Sequence, residues 1–225
     1  MRALLLGFAA LAPLLSLALI GTNLLLALAP LFASHMLMLY ATLTANSQWW
    51  GRVVTSFKTG APEVWITVDD GPSQHTAAIL EILDRYGARA TFFVIGERAE
   101  RHPHLVTEIL ARGHALANHT FSHPRATFWC AGAARIRSEI DRCAEPLRTT
   151  PDRPARWFRA PAGMKNFFVH PILARRGLSL IGWTARGLDT VARDATRVAE
   201  RIERCAQPGA IILLHEGQRL KRDPD

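Results

Sequence analysis

Two adjacent carboxylates, Asp69 and Asp70, stand before Gly71-Pro72 at the end of an apolar run over residues 64–68. A pair of this kind can divide labour, one carboxylate binding a cation while the other takes up a proton. The two side chains are expected to point in different directions, with Gly71-Pro72 making the turn that frees them from a sheet. Farther along, Asn118-His119-Thr120-Phe121-Ser122-His123-Pro124 follows a second apolar run at 115–117. His119 and His123 stand at i and i+4, a spacing that on a helical turn puts both imidazoles on one side. One carboxylate and two imidazoles suit Zn2+, Fe2+, Co2+ or Ni2+, with positions left for water and substrate. Arg159-Ala160-Pro161-Ala162-Gly163 comes next, and the fork of Arg159 can hold a carboxylate through paired hydrogen bonds. Trp183 with Asp189 beyond it, then Leu213-Leu214-His215-Glu216-Gly217, complete the series. Each motif alone has an ordinary role available as turn, core, cap or surface. The signal lies in their combination and order, each closing a strand.

The elements that must position these groups are short apolar strands alternating with amphipathic helices. Strands are expected at 64–68, 91–95, 115–117, 157–159, 178–183 and 210–214. Helices are expected at 76–86, 103–112, 133–147, 171–176 and 195–205. In the first helix Ala77, Leu80, Ile82, Leu83 and Tyr86 mark an apolar face. Gly87 and Gly113 follow helices where a left-handed cap is wanted. This alternation argues an α/β fold with a covered parallel sheet, and about six strand–helix units favour a barrel-like closure over an open doubly wound sheet. No GxGxxG follows the first strand, which disfavours a dinucleotide fold. In such a barrel, active sites gather at the C-terminal ends of the strands.

The chain has 225 residues and is 49% hydrophobic, but residues 3–45 contain no Asp, Glu, Lys or Arg. Residues 1–46 therefore read as a hydrophobic anchor of one or two helices, 47–62 as a juxtamembrane linker ending in Gly60-Ala61-Pro62, and 63–225 as the catalytic domain. Gly21-Thr22-Asn23 splits the anchor into two runs that each approach the ~20 residues a membrane helix needs. Ala27-Leu28-Ala29 resembles a signal cleavage site, but apolar sequence continues past it, so retained helices are expected. One helix and a two-helix hairpin place the domain on opposite faces of the bacterial inner membrane. Arg52 and Lys58 favour the hairpin by the positive-inside rule. Trp49 and Trp50 fit either an interfacial anchor or the domain core. The net charge of +8 falls on arginines scattered along helices, with no nucleic-acid signature. Three cysteines without a CxxC argue against a cysteine zinc site. Cys130 and Cys143 would pair in an oxidising compartment, or remain buried free thiols.

With these motifs in order, the region from about Val64 to Gly217 resembles the NodB-homology polysaccharide deacetylases, carbohydrate esterase family four. Thr67-Val68-Asp69-Asp70-Gly71-Pro72 together with His119-Thr120-Phe121-Ser122-His123 carry most of that likeness. The resemblance implies a distorted (β/α) barrel and one divalent ion, usually zinc, held by Asp70, His119 and His123. It also implies Asp69 as general base positioned by Arg159, and His215 as general acid oriented by Asp189. Pro161, Ala162, Trp183 and Leu213 would serve the substrate, with the Ala162 N–H toward the oxyanion and Trp183 and Leu213 lining the acyl pocket. The chain departs from the family at Ala162, where an aromatic residue is common, and at Asp189-Thr190, where Asp-Trp is common. Both departures bear on the substrate groove. The chain also ends ten residues after His215, where a closing element is expected.

The expected function is metal-dependent removal of acetyl or a similar small acyl group from an N-acylated glycan, either a polysaccharide or a lipid-linked sugar, at a membrane. Alternatives are a lipid-linked sugar deformylase, a membrane-tethered glycan-binding protein with a vestigial site, and an Fe2+ oxygenase. The last usually carries HxD on a β-sandwich, unlike the order here.

Overall fold

The computed structural model describes residues 1–148, 155–191 and 194–217; the C-terminal stretch 218–225 lies outside them. Seven parallel strands form one sheet: β1 (Trp65–Gly71), β2 (Ala90–Val94), β3 (Ala115–Asn118), β4 (Trp157–Phe158), β5 (Ser179–Leu180), β6 (Ala185–Arg186) and β7 (Ile211–His215). Their order is β5-β4-β3-β2-β1-β7-β6. β2 shows why the sheet is covered on both faces: Ala-Thr-Phe-Phe-Val is buried at every position, as a central parallel strand requires. The helices are α1 (Arg2–Leu19), α2 (Leu24–Leu43), α3 (Thr76–Arg85), α4 (Gly96–Arg101), α5 (Pro103–Ala111), α6 (Ala133–Ala144), α7 (Val169–Ala174) and α8 (Ala195–Cys205). In α3, Leu80 and Leu83 enter a core shared with Val68, Phe92, Val106 and Leu116.

The expected single strand over 178–183 is corrected. Only Ser179–Leu180 of it forms a strand, β5, which pairs with β4; the chain pairs again past its end, as β6 with β7 on the opposite edge. The residues between them cross the open seam of the curled sheet, so no helix fits there. The short helix α4 was not expected either, because Gly-Glu-Arg-Ala-Glu-Arg carries no apolar stripe to mark it.

At the other end, α1 and α2 form a helical hairpin. Asn23 caps α2 by accepting from the Leu25 N–H at 2.8 Å. Both helices are long and apolar enough to cross a membrane, and most of their residues are exposed. The segment 47–62 is built into the domain: Trp50 is buried with Leu5, Ala41 and Phe167, and Val54 bridges Ile181 beside the seam. Trp50 thus belongs to the core, and its Nε1–H donates to Thr42 Oγ1 at 3.1 Å. The disulfide alternative is corrected too: all three cysteines are free, with Cys143 buried and Cys130 exposed. Burial pushes the Cys143 thiol up to about 12.

Candidate active site

Successive side chains of a regular strand face opposite sides of the sheet, yet Asp69 and Asp70 converge. Asp69 pairs with Phe93 and Gly71 with Val94, so Asp70 is the extra residue of a bulge, and its φ is +70°. Both carboxylates consequently reach His119 Nε2, Asp69 Oδ2 at 3.6 Å and Asp70 Oδ1 at 3.5 Å. This corrects the expected divergence, and it happens within β1 rather than in a turn after it. Gly71 has no side chain because the adjacent space is filled by the carboxylate of Glu216.

The two histidines are also brought together without the expected helical turn. Residues 119–123 form a loop in which Thr120 and His123 take positive φ, +67° and +49°. Asn118 Oδ1 accepts from the Thr120 N–H at 3.0 Å. Buried Glu139, on α6, accepts from the Phe121 and Ser122 N–H groups at 3.1 and 2.8 Å and from Ser122 Oγ at 2.7 Å. These bonds offset the cost of the left-handed residues. The imidazole centroids end 4.8 Å apart.

Arg159 is no surface arginine but one of the largest fully buried side chains. Its Nη1 donates to Asp69 Oδ1 at 2.6 Å and to Thr67 Oγ1 at 2.9 Å. Nη2 and Nε donate to the Gly182 and Ile181 carbonyls at 2.9 and 3.3 Å. The expected two-pronged grip on a carboxylate is therefore a single bond, and the rest of the fork satisfies backbone at the seam. The guanidinium also stacks 4.1 Å from the Phe93 ring centroid.

On the neighbouring strand, His215 stands in register with Asp69 across β1 and β7. Its Nδ1 lies 2.9 Å from Asp189 Oδ1, and its backbone N–H donates to Asp189 Oδ2 at 2.6 Å. With Nδ1 engaged, Nε2 is the nitrogen left for chemistry. Burial lowers the affinity of His215 for a proton, but Asp189 and then Asp69 outweigh it and hold its pKa above the ordinary value.

A cleft of about 110 Å³ joins these groups. Asp69, Asp70, His119, His123 and His215 line it together with Ala162, Trp183 and Leu213. Ala162 takes a left-handed conformation, φ +53°. Pro161 is buried and is not among the residues lining the cleft.

Asp70, His119 and His123 offer three ligand atoms within 4.8 Å of one another. Two donors about 2.1 Å from a tetrahedral centre lie about 3.4 Å apart. Asp70 Oδ1 is 3.4 Å from His123 Nε2 and 3.5 Å from His119 Nε2, spacings that suit a zinc-sized cation. His119 Nδ1 lies 2.8 Å from the Arg159 carbonyl, which turns Nε2 inward as a ligand histidine requires. Burial would raise the Asp70 carboxyl, but His119, His123 and His215 outweigh it and hold it well below the usual carboxylate range. Burial, with His119 beside it, pushes His123 down to about 4. An ionised carboxylate and a neutral imidazole are the donor states a cation needs. Burial also pulls on His119, but Asp69 and Asp70 raise it overall.

Several residues that shape the site were not evident from the motifs. Thr67 carries no mark beyond its place in an apolar run, yet its hydroxyl donates to the Ile212 carbonyl at 2.6 Å and accepts from Arg159. Glu139 had only one signal, a carboxylate on the apolar face of α6. Glu216 Oε2 accepts from Ser73 Oγ at 2.8 Å and Thr76 Oγ1 at 2.5 Å, tying β7 to the start of α3. Arg125 and Arg186 line the cleft, and no spacing rule marked either.

Comparison with known proteins agrees with this geometry. The polysaccharide deacetylase family model matches residues 57–181. A chitooligosaccharide deacetylase of Sinorhizobium fredii is 33% identical over 168 residues, covering 74% of this chain and 77% of its own. Among solved structures, a peptidoglycan N-acetylglucosamine deacetylase superposes with a TM-score of 0.70 at 27% identity, covering 75% of this chain and 79% of its own. A family 4 carbohydrate esterase from Streptomyces lividans, in complex with acetate, gives 0.63 at 32% identity, covering 68% and 78%. The curled seven-stranded parallel sheet, the motif order and these matches agree: the chain belongs to the polysaccharide deacetylase family, hydrolases acting on carbon–nitrogen bonds other than peptide bonds.

Proposed function

We propose that the protein removes acetyl, or a similarly small acyl group, from the nitrogen of an N-acylated sugar, with one bound divalent cation. The observation that carries this reading is the pairing of two differently held groups around one cleft. Asp69 is gripped by buried Arg159, and His215, in register with it, is gripped by Asp189.

Asp70, His119 and His123 would hold the cation, Zn2+ by their donor chemistry, and it would supply a Lewis acid for the amide carbonyl. Asp69 accepts the proton of the attacking water at a carboxylate oxygen while Arg159 holds it in place. The Ala162 N–H donates to the oxygen that gains charge. His215 Nε2 delivers a proton to the departing nitrogen, which is otherwise too basic to leave, and Asp189 and then Asp69, by raising its pKa against burial, favour the protonated form. Trp183 and Leu213 enclose the acyl methyl.

The hairpin anchors this activity to a membrane. Its two ends lie on one side, since Leu5 and Leu6 near the start pack with Trp50 and Phe167 of the domain. Arg2, Arg52 and Lys58 stand on that side, while the turn at 20–23 carries no charge. This charge bias puts the domain on the cytoplasmic face of a bacterial inner membrane. A reporter enzyme fused at the C-terminus checks the assignment; activity on the opposite face contradicts it.

The activity itself is tested by following acetate and formate release from N-acyl glucosamine oligomers and lipid-linked N-acyl sugars, with and without chelator. Release that chelator stops and Asp69→Asn abolishes is the expected result. No release from folded, zinc-loaded, full-length protein would leave a glycan-binding role in its place.

A further inference from the structure

Beside the cleft, the end of the apolar hairpin is fastened to the loops that form its wall. Lys165 is fully buried, and its Nζ donates to the Thr44 and Ala45 carbonyls at 2.8 and 2.5 Å, just beyond the end of α2. Asn46 holds the backbone of Trp183: its Nδ2 donates to the Trp183 carbonyl at 2.8 Å, and its Oδ1 accepts from the Trp183 N–H at 3.4 Å. A side chain at Gly163 would strike Ala45 and the Trp183 ring, so the three are in close contact. Gly163 and Trp183 both line the cleft. The place where α2 leaves a bilayer is therefore one layer of side chains from the acyl pocket.

The same cleft has a surplus of positive charge. Arg125 and Arg186 line it and are exposed. Among the described residues neither forms an ion pair. Its acidic lining residues, Asp69 and Asp70, are already engaged with Arg159, His119 and His123. Guanidinium forks poised over a small polar cleft are suited to a phosphate. A neutral glucosamine oligomer offers them nothing of that charge.

We infer that the substrate is an N-acyl sugar joined through phosphate to a membrane lipid, with Arg125 and Arg186 binding the phosphate and the hairpin presenting the cleft to the bilayer surface. This rests on the deacylase reading above and narrows its substrate class.

The test uses the full-length, zinc-loaded protein in nanodiscs and three probes: N-acetylglucosaminyl diphosphoryl prenol in the same discs, soluble N-acetylglucosamine 1-phosphate, and a neutral N-acetylglucosamine oligomer. Acetate release gives kcat/KM for each. The lipid-linked probe should exceed the neutral oligomer by at least about tenfold, the factor one charge-assisted hydrogen bond confers. Arg125→Ala with Arg186→Ala should collapse that ratio toward one, mainly through KM, and the corresponding lysine variants should restore part of it. A neutral oligomer turned over as well as the lipid-linked sugar overturns the inference. So does a ratio that the arginine changes leave intact, or a soluble phosphate that matches the lipid form. Those three results leave the deacylase reading standing. A failure to release either acetate from these probes or formate from their N-formyl counterparts removes both.

Discussion

Arg159→Met separates the buried ion pair from its surroundings more cleanly than any other change. Methionine keeps an apolar stem over the Phe93 ring and removes the guanidinium. Asp69, only 3% exposed, is then left without the donor at 2.6 Å, and the Ile181 and Gly182 carbonyls lose theirs. Breaking a buried pair by deleting one partner costs about 3–5 kcal/mol, because the remaining charge stays buried. For a domain of this size each kcal/mol lowers the melting temperature by about 2–4 °C, so the shift should be about 6–20 °C. Asp69→Asn combined with Arg159→Met leaves no stranded charge. The double variant should recover at least about 2 kcal/mol relative to the sum of the single ones. Denaturant unfolding of the full-length chain in micelles, followed by tryptophan fluorescence, measures all four corners of the cycle. A single-variant cost below about 1 kcal/mol, the range of exposed pairs, would refute the reasoning. So would two costs that simply add.

Glu139→Ala frees the Phe121 and Ser122 N–H groups that hold the histidine loop, and zinc affinity measured by competition with a chromophoric chelator should fall about 10–100-fold. Unchanged affinity would mean that the left-handed residues hold the loop unaided. Gly71→Ala drives a methyl into the Glu216 carboxylate and should dislodge its bonds to Ser73 and Thr76; a thermal midpoint equal to that of the parent would contradict the close packing there. Burial, with Lys165 and Arg2 nearby, pushes His170 down to about 4, so the unfolded chain binds its proton first as the solution is acidified. Its contribution to stability is therefore complete above the unfolded value near 6.5 and is lost toward pH 4, by at most about 3 kcal/mol. His170→Phe should flatten that part of the stability–pH curve, and a curve as steep as the parent's would rule the histidine out as its source.

How far the site was legible depended on whether chemistry or geometry carried the information. Asp70, His119 and His123 announce themselves by residue type, because few side chains bind a cation and these stand after apolar runs. The sequence also showed the alternation of strands and helices, since a covered parallel sheet demands continuous apolar strands such as β2. It could not show how Asp69 and Asp70 come to face one point. That depends on a bulge, which exists only when β1 is laid against β2 and one residue has no partner. The histidine loop is similar: i and i+4 suggested a helix, but Glu139 on α6 and the Asn118 side chain stabilise a left-handed path instead.

The largely apolar residues 178–183 suggest one strand, yet only Ser179–Leu180 form one, at one edge of the sheet, and the chain pairs again at Ala185–Arg186 on the other. A local pattern records what each residue buries and not which neighbour it pairs with. That Arg159 could hold a carboxylate was legible from its residue type, but that its fork spends one bond on Asp69 and the others on two carbonyls was decided only when the fold closed around it. The hairpin follows the same division. Its apolar length is written in the composition of residues 3–45, since hydrophobicity is a property of single side chains. That its end meets the wall of the cleft at Asn46 and Lys165 was decided only in three dimensions, because those contacts join residues more than a hundred positions apart.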